Sequence, residues 1–369
     1  GFDSPEAGGD DCDDGDATVY AGAPEGWHDL GVDNDCDGRI DDPVEMSLAD
    51  ADIRFEAPPS GGYMGGAVGT LADIDGDDVR EGWTVANGDS AGGPFSGAVY
   101  ILASTAITTS TDSIDVGATG LRITGTQPDG YLGGGLSPAR IAEFESIAVS
   151  APGADGGSGT LYSVTLAGLP ETGELPISDV GVPILNGDPD AFMGVFPVGD
   201  QDLDGDGVWD LAIDALGIGP VSVFSSPDES LHTLADADYV IQPNVTGHWL
   251  APARVGDVDG DGADDLAIYD LSTVGPAIGT VVVPGRSELA SVQFGTISLL
   301  RFTGGTALAA MADTGTGDRS LLAIQFQASI FVNPSIGATL DPLVDADYQL
   351  FRTTSEKGFV VSSNFGWLG

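Results

Sequence analysis

Residues Asp202–Ile213 read DLDGDGVWDLAI. Carboxylates stand at positions one, three, five and nine (Asp202, Asp204, Asp206, Asp210), glycine stands at position six (Gly207), and a short apolar run follows. Two other stretches share the pattern, DIDGDDVREGW from Asp73 and DVDGDGADDLAI from Asp257. The last two loops are 55 residues apart, whereas the first two are separated by 129, close to two steps of 64. Eroded copies are therefore expected near 138 and 313. PARIAEFESIAVSAP from Pro138 keeps the following strand and none of the acids, and DTGTGDRSLLAI from Asp313 keeps the first Asp and the strand.

Alternating carboxylates in a tight loop converge on one point, which suits a hard cation. Calcium takes six to eight oxygens at about 2.3–2.6 Å in a forgiving geometry. The expected ligands are Asp73, Asp75, Asp77, Glu81 and the Val79 carbonyl in the first loop. In the second they are Asp202, Asp204, Asp206, Asp210 and the Val208 carbonyl, and in the third Asp257, Asp259, Asp261, Asp265 and the Ala263 carbonyl. Gly207 and Gly262 free the backbone at the turn, and Asp78, which tolerates a left-handed conformation, replaces them in the first loop. These are not EF-hands. Position twelve, a bidentate Glu there, is Thr84, Ile213 or Ile268 here, and the residues beyond each loop alternate as in a strand.

A second repeat surrounds the loops. LADADIRF at Leu48, LADADYVI at Leu234 and LVDADYQL at Leu343 are near-copies, each read as a leading strand. Gly-rich turns follow (GGYMGG, DGYLGGG, DAFMG), then an inner strand, the Asp loop, and strands such as DLAI and GTVVVPG. Apolar runs are short and β-branched, and Gly 56 with Pro 22 implies many turns, so the chain is expected to be all-β. Four strands in each period of about 60 residues indicate the blades of a β-propeller, about six of them, the last incomplete within the chain. Residues 47–369 would form it.

The turn AFMG ahead of DLDGDGVWDLAI, repeated around the chain, resembles the FG-GAP repeats of integrin-α-type β-propellers. The resemblance implies calcium in each intact loop, about three in all, and a role in adhesion or surface architecture. It also implies that the leading strand of each unit is the outer strand of the preceding blade. Residues 51–57 would then close the ring with the last blade, whose two middle strands are missing. That open edge would be covered by residues 1–47 or by another copy of the chain.

Residues 1–46 form a different module. Asp10–Asp42, DDCDDGDATVYAGAPEGWHDLGVDNDCDGRIDD, resembles Asp/Cys-rich modules found beside FG-GAP repeats in secreted bacterial proteins. They are named for a copper-binding surface protein of a methanotroph. This sequence departs from their pattern at HDLGVD, where one residue is inserted. The loop spacing recurs here in Asp33, Asp35, Asp37, Asp41 and the Arg39 carbonyl, with Gly38 at position six. Asp11, Asp13 and Asp16 could share an ion, so one or two calciums are expected. Calcium is favoured over copper, and Trp27 is read as packing rather than as part of a transition-metal site with His28. Cys12 and Cys36 are expected to form a disulfide that staples a segment too small to own a core.

Charge narrows the function. The chain of 369 residues carries 58 Asp+Glu against 11 Lys+Arg, a net charge of -47, with Lys357 its only lysine. That repels nucleic acid and anionic membranes. No run of about 18 apolar residues occurs, so no membrane span is expected. The start at Gly1 and the paired cysteines suggest a secreted, processed protein at the cell surface. His28, His232 and His248 are scattered, and no nucleophile–base spacing or phosphate loop accompanies them. His232 and His248 are read as surface or turn residues. The expected function is a non-catalytic structural or assembly propeller, a filament or surface-layer subunit whose partner is itself. The alternatives are a cation-dependent adhesion propeller that binds another surface protein or a glycan, and an enzyme with its site in the channel.

Overall fold

The computed structural model describes residues 53–285, except 110–112, 217–218, 244, 246, 258–260 and 271–279. It also describes positions 15, 16, 18–21, 23, 35 and 36, and seven strands between Val292 and Gln349. The molecule is mostly β. Among the described residues helix is confined to segments of six residues or fewer, such as Ser104–Thr109 and Val116–Thr119.

The strands repeat as antiparallel quartets. Unit I comprises Met64–Thr70, Gly82–Ala86, Ala98–Leu102 and Leu121–Thr124. Unit II comprises Leu136–Ile141, Phe144–Ala151, Thr160–Thr165 and Gly181–Asn186. Unit III comprises Val198–Gln201, Asp210–Asp214, Val221–Phe224 and Tyr239–Gln242. Unit IV comprises Leu250–Gly256, Asp265–Asp270, Thr280–Val283 and Leu300–Phe302. Beyond them Thr306–Met311 pairs with Ser320–Gln325, and Ser329–Ile330 with Tyr348–Gln349.

The outer strand of each quartet gains a parallel neighbour from the next unit. Gly173–Pro176 lies beside Leu121–Thr124, and His232–Thr233 beside the end of Gly181–Asn186. Val292–Gln293 lies beside Tyr239–Gln242, and Thr339–Leu340 beside Leu300–Phe302. Ser113–Asp115 of unit I holds Arg54–Glu56 in the same way. An exposed strand edge is a template for aggregation, and these short strands cover it while tying each unit to its neighbour.

The core lies between successive units. Unit I contributes Trp83, Val85, Val99, Leu121 and Ile123 to one cluster, which unit II completes with Leu136, Ile147, Val149 and Val164. Units II and III share Ile141, Leu161, Ile184, Leu211, Ile213 and Phe224. Units III and IV share Val198, Val221, Val223, Ile241, Leu266, Ile268 and Val281. The middle strands are therefore buried on both faces, as in Gly82–Ala86 and Asp210–Asp214. Each such Leu, Ile or Val side chain stabilises the fold by about 1.5–3 kcal/mol.

Two expectations need correction. The eroded loop near 138 is no loop. Ile141 pairs directly with Phe144, and Ala142 (φ 50°) and Glu143 (φ 71°) form a two-residue hairpin turn. The LADAD repeat does not begin as a strand at Leu234. Leu234–Asp236 is a 3-10 turn, capped because the Asp236 carboxylate accepts from the Thr233 N–H (2.8 Å) and hydroxyl (2.9 Å). Asp238 then accepts from the Ser225 N–H at the end of the third strand (2.8 Å), so these acids serve turns rather than metals.

Candidate metal centre

In units I, III and IV the Asp loop joins the first strand to the second. Position one anchors the turn. Its Oδ2 accepts from the N–H of position six in all three loops: Asp73 from Asp78 (2.9 Å), Asp202 from Gly207 (2.8 Å) and Asp257 from Gly262 (3.1 Å). The position-six residues are left-handed, with φ 66° at Asp78, 87° at Gly207 and 99° at Gly262. Position five accepts from the N–H of position seven: Asp77 from Val79 (2.8 Å), Asp206 from Val208 (2.7 Å) and Asp261 from Ala263 (2.9 Å). Those bonds fix the backbone where a carbonyl ligand is expected.

Position nine is the buried end of each loop. Glu81, Asp210 and Asp265 are 3%, 0% and 0% exposed. Glu81 Oε2 accepts from the Ile74 N–H (2.6 Å), and Asp210 Oδ2 from the Leu203 N–H (2.7 Å). The strand across the sheet supplies a second donor, Ser226 N–H to Asp210 (3.1 Å) and Gly285 N–H to Asp265 (2.9 Å). Glu81 Oε1 is buried with no hydrogen-bond partner. A buried, unpaired carboxylate oxygen is costly, and a cation would satisfy it.

The carboxylates converge. Ligand atoms of Asp73, Asp75, Asp77 and Glu81 lie within 4.8 Å of one another, as do those of Asp202, Asp204 and Asp210. Asp206 stands apart, with its Oδ2 held by the Ser226 hydroxyl (3.3 Å). Ser104 plays that part for Asp77 (2.6 Å). Neither serine was evident from the loop sequence, since each follows the third strand. In the third loop Asp257, Asp261 and Asp265 are described, while Asp259 lies outside the described residues.

Electrostatics agree with a cation cradle. Burial raises the Glu81 carboxyl, and Asp75, Asp73 and Asp77 push it further. Burial, aided by Asp204 and Asp202, pushes Asp210 up to about 7. Burial also raises Asp204. Asp77 is lowered by its bond from Ser104. The donor set is all hard oxygen, with no Cys or His. It fits calcium or magnesium better than copper.

Of the N-terminal positions, Asp11, Asp13, Asp33, Asp37, Arg39, Asp41 and Cys12 lie outside the described residues. Asp16 Oδ1 accepts from the Thr18 N–H (2.9 Å) and hydroxyl (2.6 Å), which lowers its carboxyl. No cysteine is free among the described residues, and Cys36 is disulfide-bonded.

Other buried polar groups are structural. His248 is buried, not a surface residue. Its Nδ1 pairs with Asp270 at 2.6 Å, a partner 22 residues away that the sequence did not point to. His232 sits at the surface beside Asp228 (3.1 Å). In unit I the buried Asp89 is clasped by the Arg122 guanidinium and the Tyr100 hydroxyl (2.8 Å), and Arg122 reaches on to Ser60 (2.7 Å). Asp89→Ala is expected to destabilise the protein by about 3–5 kcal/mol in urea unfolding, because it leaves the largely buried Arg122 charge with only the exposed Glu174 (3.2 Å) as carboxylate partner.

A family model, that of the Cu-binding MopE metal-binding motif, matches residues 11–42. No curated protein matches the chain. Among the described residues no helix is long and apolar enough to cross a membrane.

Proposed function

We propose that the chain is an extracellular β-propeller of the FG-GAP kind, stiffened by calcium in its strand-connecting loops. It carries a metal-binding N-terminal module and works as a structural or surface-assembly protein rather than an enzyme. One observation carries the reading: a single hydrogen-bonded loop geometry recurs in three quartets, each with a buried carboxylate at position nine. The stacking of successive quartets and the parallel strand passed between neighbours support the propeller. Arg54–Glu56, held as outer strands are held, supports a sixth unit that it completes. Completion of that unit by another copy would make the protein a polymer subunit.

In the N-terminal module, Asp33, Asp35, Asp37 and Asp41 would bind calcium beside a Cys12–Cys36 staple. The matched family's name points to copper instead, and metal analysis separates the two. Purified protein dialysed against calcium is expected to hold about three ions in the propeller loops and one or two in the module by mass spectrometry of the metals. Protein that retains no calcium would sink the loop reading, and stoichiometric copper would reassign the module. Electron microscopy is expected to show ordered assemblies that EDTA dissolves. A monodisperse monomer in calcium by light scattering would defeat the assembly role.

A further inference from the structure

Among the described residues, four turns ahead of a unit's first strand place an aromatic residue at one register position, followed by an apolar side chain. Tyr63, Tyr131, Phe192 and Trp249 are exposed by 73%, 36%, 47% and 43%, and Met193, Leu132 and Leu250 behind three of them are buried. Tyr63, Tyr131 and Phe192 have left-handed φ of 59°, 54° and 43°. Bulky side chains rarely adopt that conformation, and such strain concentrates at functional sites.

Between units I and II the feature is doubled. Phe95, also left-handed (φ 47°) and 42% exposed, stands beside Tyr131 with ring centroids 5.8 Å apart and planes inclined by 34°. Three backbone bonds hold the two turns together: Asp129 N–H to Pro94 O (2.8 Å), Tyr131 N–H to Phe95 O (3.0 Å) and Leu132 N–H to Ser96 O (2.9 Å). Gly153 lies behind Tyr131, where a Cβ would come within 2.8 Å of the ring. Asp129, two residues before Tyr131 in the same turn, is exposed, whereas the Asp155 carboxylate already accepts from Gln127 (3.5 Å) and Thr160 (3.3 Å).

We propose that Phe95 and Tyr131 form a platform for the C–H face of a neutral sugar ring, with Asp129 accepting from its hydroxyls. The inference stands apart from the metal reading. Three ligand classes stack on aromatic faces. Nucleobases come with phosphates, which the -47 charge repels. A cation can sit on a single ring, as Arg122 does over Tyr100 (5.6 Å), and is the competing class that the oligoarginine arm tests. The apolar face of a pyranose fits a shallow, rigid pair, and the Asp129 carboxylate with the -47 net charge repels acidic sugars.

The test uses the full chain in calcium on an array of neutral glucose, galactose and mannose oligomers, with uronate oligomers and an oligoarginine peptide as further arms. Retention on at least one neutral series is expected. The double variant Phe95→Asn/Tyr131→Asn should lose it by at least about tenfold, a change of 1.4 kcal/mol. Its melting temperature should hold or rise, since Asn accepts the left-handed backbone. Phe95→Leu, which removes a ring and keeps apolar bulk, should weaken binding as well and serves if the double variant does not fold. Three results would overturn the proposal: no neutral oligomer retained, equal retention by the variants, or binding of oligoarginine alone through this pair.

Discussion

Moving the protein from millimolar calcium into EDTA is expected to lower its melting temperature by about 10–15 °C. The reasoning starts from the loops. In the first, four carboxylates crowd within 4.8 Å with the Glu81 oxygen unpaired, and in the second, three do so around a buried Asp210. Like charges at about 4 Å repel by roughly 4 kcal/mol at an effective dielectric of 20, so each empty loop is a strained element. A ligand at 100 to 1,000 times its dissociation constant stabilises the native state by about 2.7–4.1 kcal/mol per site. Three sites then contribute about 8–12 kcal/mol, and for a chain of this size each kcal/mol shifts the midpoint by about 1.3 °C. Differential scanning calorimetry would measure it. Magnesium should restore much less, because it demands a tighter octahedron than this loop supplies. Equal midpoints in calcium and EDTA would remove the metal from the account of stability.

The Asp loops were legible because the chain writes them three times in register. Spacing alone placed Asp73, Asp202 and Asp257 at position one, and their bonds to position six agree. Partners supplied from elsewhere in the sheet were not legible. Ser104 and Ser226 reach their loops from beyond the third strand, and His248 meets Asp270 across a fold that no local pattern announces. The shared parallel strands are only two to four residues long, below any periodic signal. LADAD misled for a physical reason. In the described copy its acids cap a 3-10 turn and the end of a strand, tasks that carry no strand signal of their own. At 138 the sequence showed that the ligands were gone, but not that the loop had shrunk to the turn Ala142–Glu143.

The calcium affinity of the Asp202–Asp210 loop is expected to fall about tenfold for each pH unit below 7, because the ion must displace a proton. Burial pushes Asp210, the position-nine ligand, up to about 7 in the metal-free protein. The sign for stability follows from linkage. A carboxyl that titrates near 7 when folded and near 3.8 when unfolded binds its proton more tightly in the native state. Without metal, stability is therefore greatest on the acid side of this window and declines as pH rises from about 4 to 7. Asp214 behaves likewise: fully buried and pushed to about 7, it accepts from the Phe196 N–H (2.6 Å) and the Val195 N–H (3.3 Å). Its ionisation costs up to about 4 kcal/mol over that window. Asp214 lies outside the Asp loops, its carboxylate held by backbone N–H groups, so its contribution is expected to cancel in the difference between the two melting curves. Asp210 does not cancel. The gap between the midpoints in calcium and in EDTA should widen as pH rises from 5 to 7.5, and Asp210→Asn should flatten much of that widening. Glu81, raised by burial and by its three Asp neighbours, gives the first loop a dependence of the same sign. A gap that stays constant from pH 5 to 7.5 would mean that neither buried carboxyl meets the ion.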